Sequence, residues 1–365
     1  MGAVKTADPT MARAINDRLA LDLLLEHGPL TATQLRTLTG LSRPTVADLI
    51  ERLRESGLVE RAGETGADRR GPNARLYGLV AGRAHVAGVD LRRDAVHAVV
   101  ADIAGTETST VTRPLPPAPD LPAFIDGVIA EALAEAGPGL GAHTIVLGTP
   151  GLVRPRTGLV TASGVPGGRA DLGDALAART GARVILENEV NLATIAEHRA
   201  GAAAGRADFA LLWLDDGIGA GIVLDGRLRR GASGGAGEVG LLKFGATDFC
   251  GLLETPAVRG LPPATVADRI AQGVFALVAV LDPGLVVLGG AFGRAGGDAL
   301  AALVAERLGG LSPAATEVRA AVVEGDPILR GAVLTALDAA RDAVFGRAAP
   351  PGQDRWAAGP TPAAR

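Results

Sequence analysis

Ile185-Leu186-Glu187-Asn188-Glu189-Val190-Asn191, ILENEVN, closes a short apolar run (ARVILEN) and opens a helical stretch over Val190–Ala200. The run has the length and content of a buried strand, and a strand feeding a helix is the repeating unit of an α/β protein. The junction also gathers two acids and two amides. Such a group holds a hydroxylated ligand, takes a proton from one, or caps the helix and pairs with its dipole.

Outward from this junction the same alternation recurs. AHVAGVDL and DAVHAVVAD read as a strand hairpin, PLPPAPDLP as a loop and Phe124–Ala136 as a helix. TIVLGTPGLV is a second buried strand ending at a loop. FALLWLDD, GAGIVLDGRL and LVVLGG are further strands, with GGAGEVG between them, and helices alternate with strands to Phe345. The expected body is α/β with two related lobes. Residues 347–365 (RAAPPGQDRWAAGPTPAAR) read as a disordered tail.

The composition suits a soluble globular chain of two or three domains: 365 residues, 47% hydrophobic and 21% charged. A net charge of −4 announces no nucleic-acid binder, so any DNA contact must come from a local patch. The single Cys250 excludes an internal disulfide and any multi-cysteine metal site. The first residues lack the apolar core of a signal peptide, and no charge-free apolar run has membrane-spanning length. The expectation is a cytoplasmic protein.

The first eighty residues follow a different rule. Residues 11–26 carry a helical stripe of Ile15, Leu19, Leu23 and Leu24, stopped by Gly28-Pro29. Thr31-Ala32-Thr33-Gln34 is a capping box that starts a second helix, with Leu35 and Leu38 expected inside. Ser42 caps a third helix with Pro44 in its first turn, where a missing N–H costs nothing. Val46, Leu49, Ile50 and Leu53 form its buried face and leave Arg43, Thr45, Ala47, Asp48 and Arg52 outside. Two short strands follow, around the basic tip AGETGADRRGPNA.

Helix, short helix, turn, capped helix and a two-stranded wing describe a winged helix-turn-helix, placed at residues 11–80. Its third helix would enter a major groove of double-stranded DNA with Ser42, Arg43, Pro44, Thr45, Asp48 and Arg52 at the interface. Arg69 and Arg70 on the wing would reach phosphates or the minor groove. Residues 1–77 hold 11 basic and 10 acidic side chains, so binding would rest on a few placed arginines and on dimerisation.

The pieces GLSRPTV, LGTPGLV, LENEVN, GIGAGIVLDGRLRRG, AGEVG and DPGLVVLGG, in this order over residues 12–345, resemble the ROK family. That family contains sugar kinases and winged-helix sugar-responsive repressors. The resemblance implies an actin-like, ribonuclease-H-like two-lobed domain at residues 81–346. It implies a hexose site at Asn188, Glu189, Glu238 and Glu254, with Glu189 at the kinases' general-base position. Three further family positions are changed: a histidine is Leu241, an asparagine Gly164 and a tryptophan Gly168.

Both phosphate loops depart from the kinase pattern. The Asp-x-Gly-x-Thr loop reads Asp90-Leu91-Arg92-Arg93-Asp94, and the Gly-Thr-Gly loop reads Asp215-Asp216-Gly217. Two carboxylates would face a polyphosphate there. The family's zinc ligands fall on Leu241, Gly245, Thr247 and Leu252, so no zinc is expected. The asparagine-glutamate form resembles xylose-type repressors. The expected protein is therefore a homodimeric or homotetrameric repressor of carbohydrate-related genes, without catalytic residues, metal or cofactor. It would bind an operator and a sugar or sugar derivative. The alternatives are a regulator with a dead pocket and, less favoured, a sugar kinase with a DNA-binding head.

Overall fold

The computed structural model describes residues 9–64, 74–161 and 164–346. The chain divides into two compact units, Met1–Ala84 with Asp338–Arg365, and His85–Leu337. The wing tip carrying Arg69 and Arg70, and the stretch 347–365 read as a tail, lie outside the described residues.

The first unit is built on α1 (Pro9–His27), α2 (Ala32–Thr39) and α3 (Arg43–Glu55). The Thr31 hydroxyl accepts from Gln34 N at 3.2 Å, and Thr31 N donates to the Gln34 side chain at 2.8 Å, closing the capping box. Gly40, at φ +70°, turns the chain out of α2, a left-handed conformation that glycine adopts without strain. Val46, Leu49, Ile50 and Leu53 are buried, as their spacing requires. The strands β1 (Leu30–Thr31), β2 (Val59–Glu64) and β3 (Arg75–Leu79) form a sheet ordered β1-β3-β2, with β2 and β3 antiparallel as the wing.

Two inward assignments in this unit are corrected. Ile15 and Leu19 are 45% and 40% exposed, and α1 buries Ala20, Leu21 and Leu24 instead. The 19-residue helix outruns the small core it packs on, so its apolar stripe continues past its partners. Leu38 is 47% exposed, because the eight-residue α2 buries Leu35 as its single contact position. The end of the last helix, from Asp338, is also counted with this unit, where the sequence reading had placed it in the body. Arg18 ties it down, donating to Asp342 at 2.9 Å and to the Gly346 carbonyl at 2.6 Å.

The second unit holds two lobes. In the first, β4 (His85–Leu91), β5 (Ala95–Asp102) and β6 (Glu107–Pro114) run antiparallel. The helix α4 (Leu121–Ala136) leads to β7 (Ala142–Thr149) and the small hairpin β8 (Leu152–Val153) with β9 (Val160–Thr161). Then α5 (Leu172–Thr180) leads to β10 (Arg183–Asn188), and the sheet order is β10-β7-β4-β5-β6.

After α6 (Glu189–Ala200) the second lobe repeats the order. Its strands are β11 (Phe209–Leu214), β12 (Ile218–Leu224) and β13 (Arg227–Leu228). The hairpin β14 (Lys243–Phe244) with β15 (Thr247–Asp248) comes next, then α7 (Phe249–Leu253), α8 (Thr255–Val258) and α9 (Pro263–Leu281). The lobe finishes with β16 (Leu285–Gly289), α10 (Gly290–Gly309) and β17 (Glu317–Ala320), and α11 (Pro327–Val344) ends the described chain. The sheet order β13-β12-β11-β16-β17 matches the first lobe strand for strand: three antiparallel strands, then two parallel additions beside the first.

Each lobe has its own apolar core, around Val89, Ile125 and Leu147 in one and around Leu212, Val274 and Leu288 in the other. Of the described helices, α9 alone is long and apolar enough to cross a membrane, yet its buried face (Ile270, Val274, Leu277) belongs to this second core. Close approach of helices to the first sheet needs glycine on it. A Cβ on Gly88 would lie 2.8 Å from a Val333 methyl of α11, and one on Gly148 2.8 Å from Leu192 of α6. Those two helices bring their N-terminal turns to the carboxyl end of β4, and the candidate site is there.

Candidate functional site

The ILENEVN junction resolves into a network with one member left over. Glu187 is buried; its Oε1 accepts from Asn188 N at 3.0 Å and from Asn191 Nδ2 at 2.9 Å. Its Oε2 accepts from Arg230 Nε at 2.6 Å. Asn188 caps α6, its Oδ1 accepting from Val190 N and Asn191 N at 2.9 and 3.2 Å. Its Nδ2 donates to the Gly151 carbonyl at 3.0 Å. The amide expected to hold a ligand is thus spent on the fold. The side chain of Glu189, the first residue of α6, makes no hydrogen bond among the described residues and lines a cavity of about 610 Å³.

That cavity is walled by Arg92, Arg93 and Asp94, and by Asp215, Asp216 and Gly217, the two loops compared above with the kinase phosphate loops. Trp213 and the N-terminal turns of α10 and α11 complete it. Asp90, at the end of β4, is fully buried and is not part of the cavity lining. Arg92 Nε donates to Asp90 Oδ2 at 2.6 Å, and Arg92 Nη2 donates to Asp326 Oδ2 at 2.5 Å. Asp326 Oδ1 accepts from Ile328 N and Leu329 N at the start of α11. Asp90 Oδ1 has no hydrogen-bond partner among the described residues, at a cost on the order of 1–3 kcal/mol.

Burial dominates the two carboxyls. It pushes Asp90 up to about 6, against the lowering by Arg92, so Asp90 is ionised and paired at neutral pH. Burial, with the repulsion of Asp90 next, pushes Glu189 up to about 7, leaving it about half protonated there. Arg93 lies across Gly164, where a Cβ would stand 3.4 Å from its Nε, and it makes no ion pair among the described residues.

Part of this wall is already engaged. Arg92 takes the Asp90 and Asp326 carboxylates. Asp215 Oδ2 accepts from Ala291 N, 2.9 Å away, at the start of α10. Leu241, Gly245, Thr247 and Leu252, the positions compared with zinc ligands, offer no imidazole or thiolate. The loop they occupy is held by Phe249 instead. Its ring is fully buried against Gly273 of α9 and tilts onto Phe244 at 5.6 Å.

Glu254 lines a neighbouring cavity with Cys250 and Phe292, which shares Asp215, Asp216 and Ala291 with the first, and Glu238 is exposed, its carboxyl raised by partial burial. Each is placed by a different loop of the second lobe, and the spacing of residues in the chain carries no information on their distance from Glu189. Trp213, Arg93, Arg294 and Asp326 were missed as site residues. Only Asp326 left a signal, the Asp-Pro that opens α11.

On the head, Ser42 caps α3, accepting from Thr45 N at 3.4 Å, and its hydroxyl meets that of Thr45 at 2.8 Å. Ser42, Arg43, Pro44 and Asp48 are exposed, Thr45 half-buried. Arg43 has no ion pair among the described residues. Arg52 differs from the outward-facing expectation: its Nη2 donates to Asp17 Oδ1 of α1 at 2.5 Å. It ties two helices together, which removes it from the free face. Arg61 and Arg75, unremarked in the sequence, stand exposed on the two wing strands.

The folds form a winged helix-turn-helix unit and a unit of two lobes with matching strand order. The ROK family model matches residues 86–251 and the MarR family model residues 15–71. Those residues are thus a ROK-like domain and a MarR-like winged helix. The xylose repressor of Bacillus subtilis (strain 168) is 26% identical over 238 residues, which is 64% of this chain and 62% of that protein. The glucokinase of Streptomyces coelicolor is 32% identical over 158 residues, 43% of this chain and 49% of that one. Among solved structures, a ROK family transcriptional regulator, a homolog of the E. coli MLC protein, aligns with TM-score 0.71 at 17% identity. It covers 92% of this chain and 97% of its own. A ROK hexokinase from Thermus thermophilus aligns with TM-score 0.61 at 27% identity, over 71% of this chain and 99% of its own.

Proposed function

We propose that this chain is a DNA-binding transcriptional repressor of carbohydrate-related genes, acting without catalysis. The observation that carries the reading is the first turn of α3, capped and presented with Arg43 exposed, on a chain whose Arg92 and Asp215 are engaged by its own groups. Similarity to xylose repressors supports the regulated class. Arg43 would read a base edge in the major groove, with Thr45 and Asp48 beside it. Two copies would occupy two half-sites, because a single nearly neutral head offers few phosphate contacts. A role on DNA puts the chain in the cytoplasm. A small sugar-like effector in the body would shift the operator-binding equilibrium only through different affinities for the bound and free arrangements.

A second reading has an observation of its own. Asn188 caps α6 and bonds the Gly151 carbonyl, Glu254 lines a cavity neighbouring that of Glu189, and Glu238 is exposed, which supports a pocket altered from the family's sugar site. A regulator with an inert pocket has the same features. Anisotropy titration on promoter-proximal DNA, with and without a sugar panel, separates the two. Salt-dependent binding released by one sugar supports the first reading, and binding that no sugar alters supports the second. Hexose-dependent ATP turnover above background would overturn the non-catalytic assignment.

A further inference from the structure

A second cavity, of about 440 Å³, lies on the first lobe and shares no lining residue with the cleft of Glu189. It is lined by residues 183–187 of β10, the edge strand of its sheet, by the turn between β8 and β9, and by the first turns of α5. Three guanidiniums from separate segments meet there: Arg154 in the turn, Arg183 at the start of β10 and Arg230 after β13.

The partners of these groups select the ligand. Arg230 is fixed, its Nε donating to Glu187 Oε2 at 2.6 Å, while its two Nη groups have no hydrogen-bond partner among the described residues. Arg154 and Arg183 are exposed and make no ion pair among the described residues. On the acidic side, Arg230 offsets Glu187, and Arg169 holds both oxygens of Asp171 at 2.5 and 2.7 Å. Asp174 is exposed and lines the same cavity, yet pairs with neither free arginine. Two free guanidiniums against one free carboxylate leave one positive charge in excess. The rest of the wall is largely apolar, with Val153, Leu159, Ile185 and Leu186. A guanidinium fork matches the two oxygens of a carboxylate, and the apolar wall takes a hydrocarbon body. A phosphate ester, nearly a dianion at neutral pH, brings more charge than the site balances, beside Asp174.

We infer that this cavity binds a small organic acid, a single carboxylate on an apolar body, held by Arg154, Arg183 and the Nη groups of Arg230. The site is independent of the operator-binding reading. Through Arg230 the bound acid touches the Glu187 network that orders the start of α6.

The test is calorimetric titration of the full chain at fixed ionic strength, because salt screens exposed arginines. The probes are butyrate, benzoate and hydrocinnamate, their amides, acetate and phenyl phosphate, each to about 50 mM, since weak binders need large excess. The expected result is saturable binding of at least one of the three acids, with its amide and acetate each at least about tenfold weaker and phenyl phosphate no tighter. Arg154→Ala and Arg183→Ala, both at the surface, should each weaken that binding about tenfold while urea melts stay unchanged. Asp174→Asn should tighten it. No binding by any of the three acids, an amide equal to its acid, tighter binding of phenyl phosphate, or an affinity indifferent to both arginine substitutions overturns the inference. Loss of binding on Arg93→Ala, with Arg154 and Arg183 silent, would put the acid in the cleft and overturn it as well.

Discussion

Two helix starts, α3 and α6, hold the candidate chemistry of this chain, and they use the same device to opposite ends. At α3, Ser42 caps the helix with its own hydroxyl, and the cap costs the surface nothing. Arg43 and Asp48 remain exposed, and that open face is legible from spacing alone. At α6, Asn188 caps the helix while Glu187, Asn191, Gly151 and Arg230 close round it. Three of the four polar residues of the motif vanish into structure, and one carboxyl, Glu189, is left to the cleft. A cap on a surface helix frees its neighbours, whereas a cap between packed elements consumes them.

That comparison can be broken at several levels. Leu49→Ala in the core of α3 should cost about 2–5 kcal/mol and abolish operator binding while the unfolding of the body is unchanged. Calorimetry with one shifted and one unshifted transition is the expected record. A single common shift would show that the head and body do not unfold separately.

The α6 side is sharpened by pH. Glu189 holds its proton more tightly folded, at about 7, than unfolded, near the usual 4. The folded state therefore binds more protons between those values, and stability falls as pH rises through the window. Glu189→Gln removes that loss. Its stability relative to the wild type should improve between pH 5 and pH 8 by on the order of 2 kcal/mol, read by urea melts at the two pH values. A gap independent of pH would place Glu189 in water.

Arg43→Ala should cost about 1–3 kcal/mol of operator affinity and relax base preference at one position, measured by competition among operator variants. Unchanged preference removes Arg43 from the base edge. The two caps come next. Ser42→Ala should cost the head about 1 kcal/mol. Asn188→Ala should cost the body more, because Glu187 and the Gly151 carbonyl lose their surroundings as well. Equal losses would deny the difference drawn between the two helix starts. The smallest effect is expected at Arg52. With its guanidinium on Asp17, Arg52→Ala and Asp17→Ala should each shift head stability by less than about 1 kcal/mol and alter operator affinity alike. A loss of DNA binding confined to Arg52→Ala would return that arginine to the interface.

The sequence by itself determined the winged head, the two lobes and the strand-to-helix junctions. Capping boxes, the Ser42 cap, glycine stops and apolar periods act over a few residues, where chain order and spatial order coincide. It also located the loops of Arg92, Asp94, Asp215 and Asp216, which stand at identifiable strand ends. Tertiary structure alone decided what those residues do. It put Arg92 between Asp90 and Asp326, a residue 234 positions away, and Asp215 on the amide of Ala291. It turned Ile15, Leu19 and Leu38 outward where the core ran out and tied Arg52 to Asp17. The physical reason is common to all of them. A periodic pattern specifies which face of an element is apolar, but the partner of a charged side chain is whichever group the packing of distant elements brings within about 3 Å.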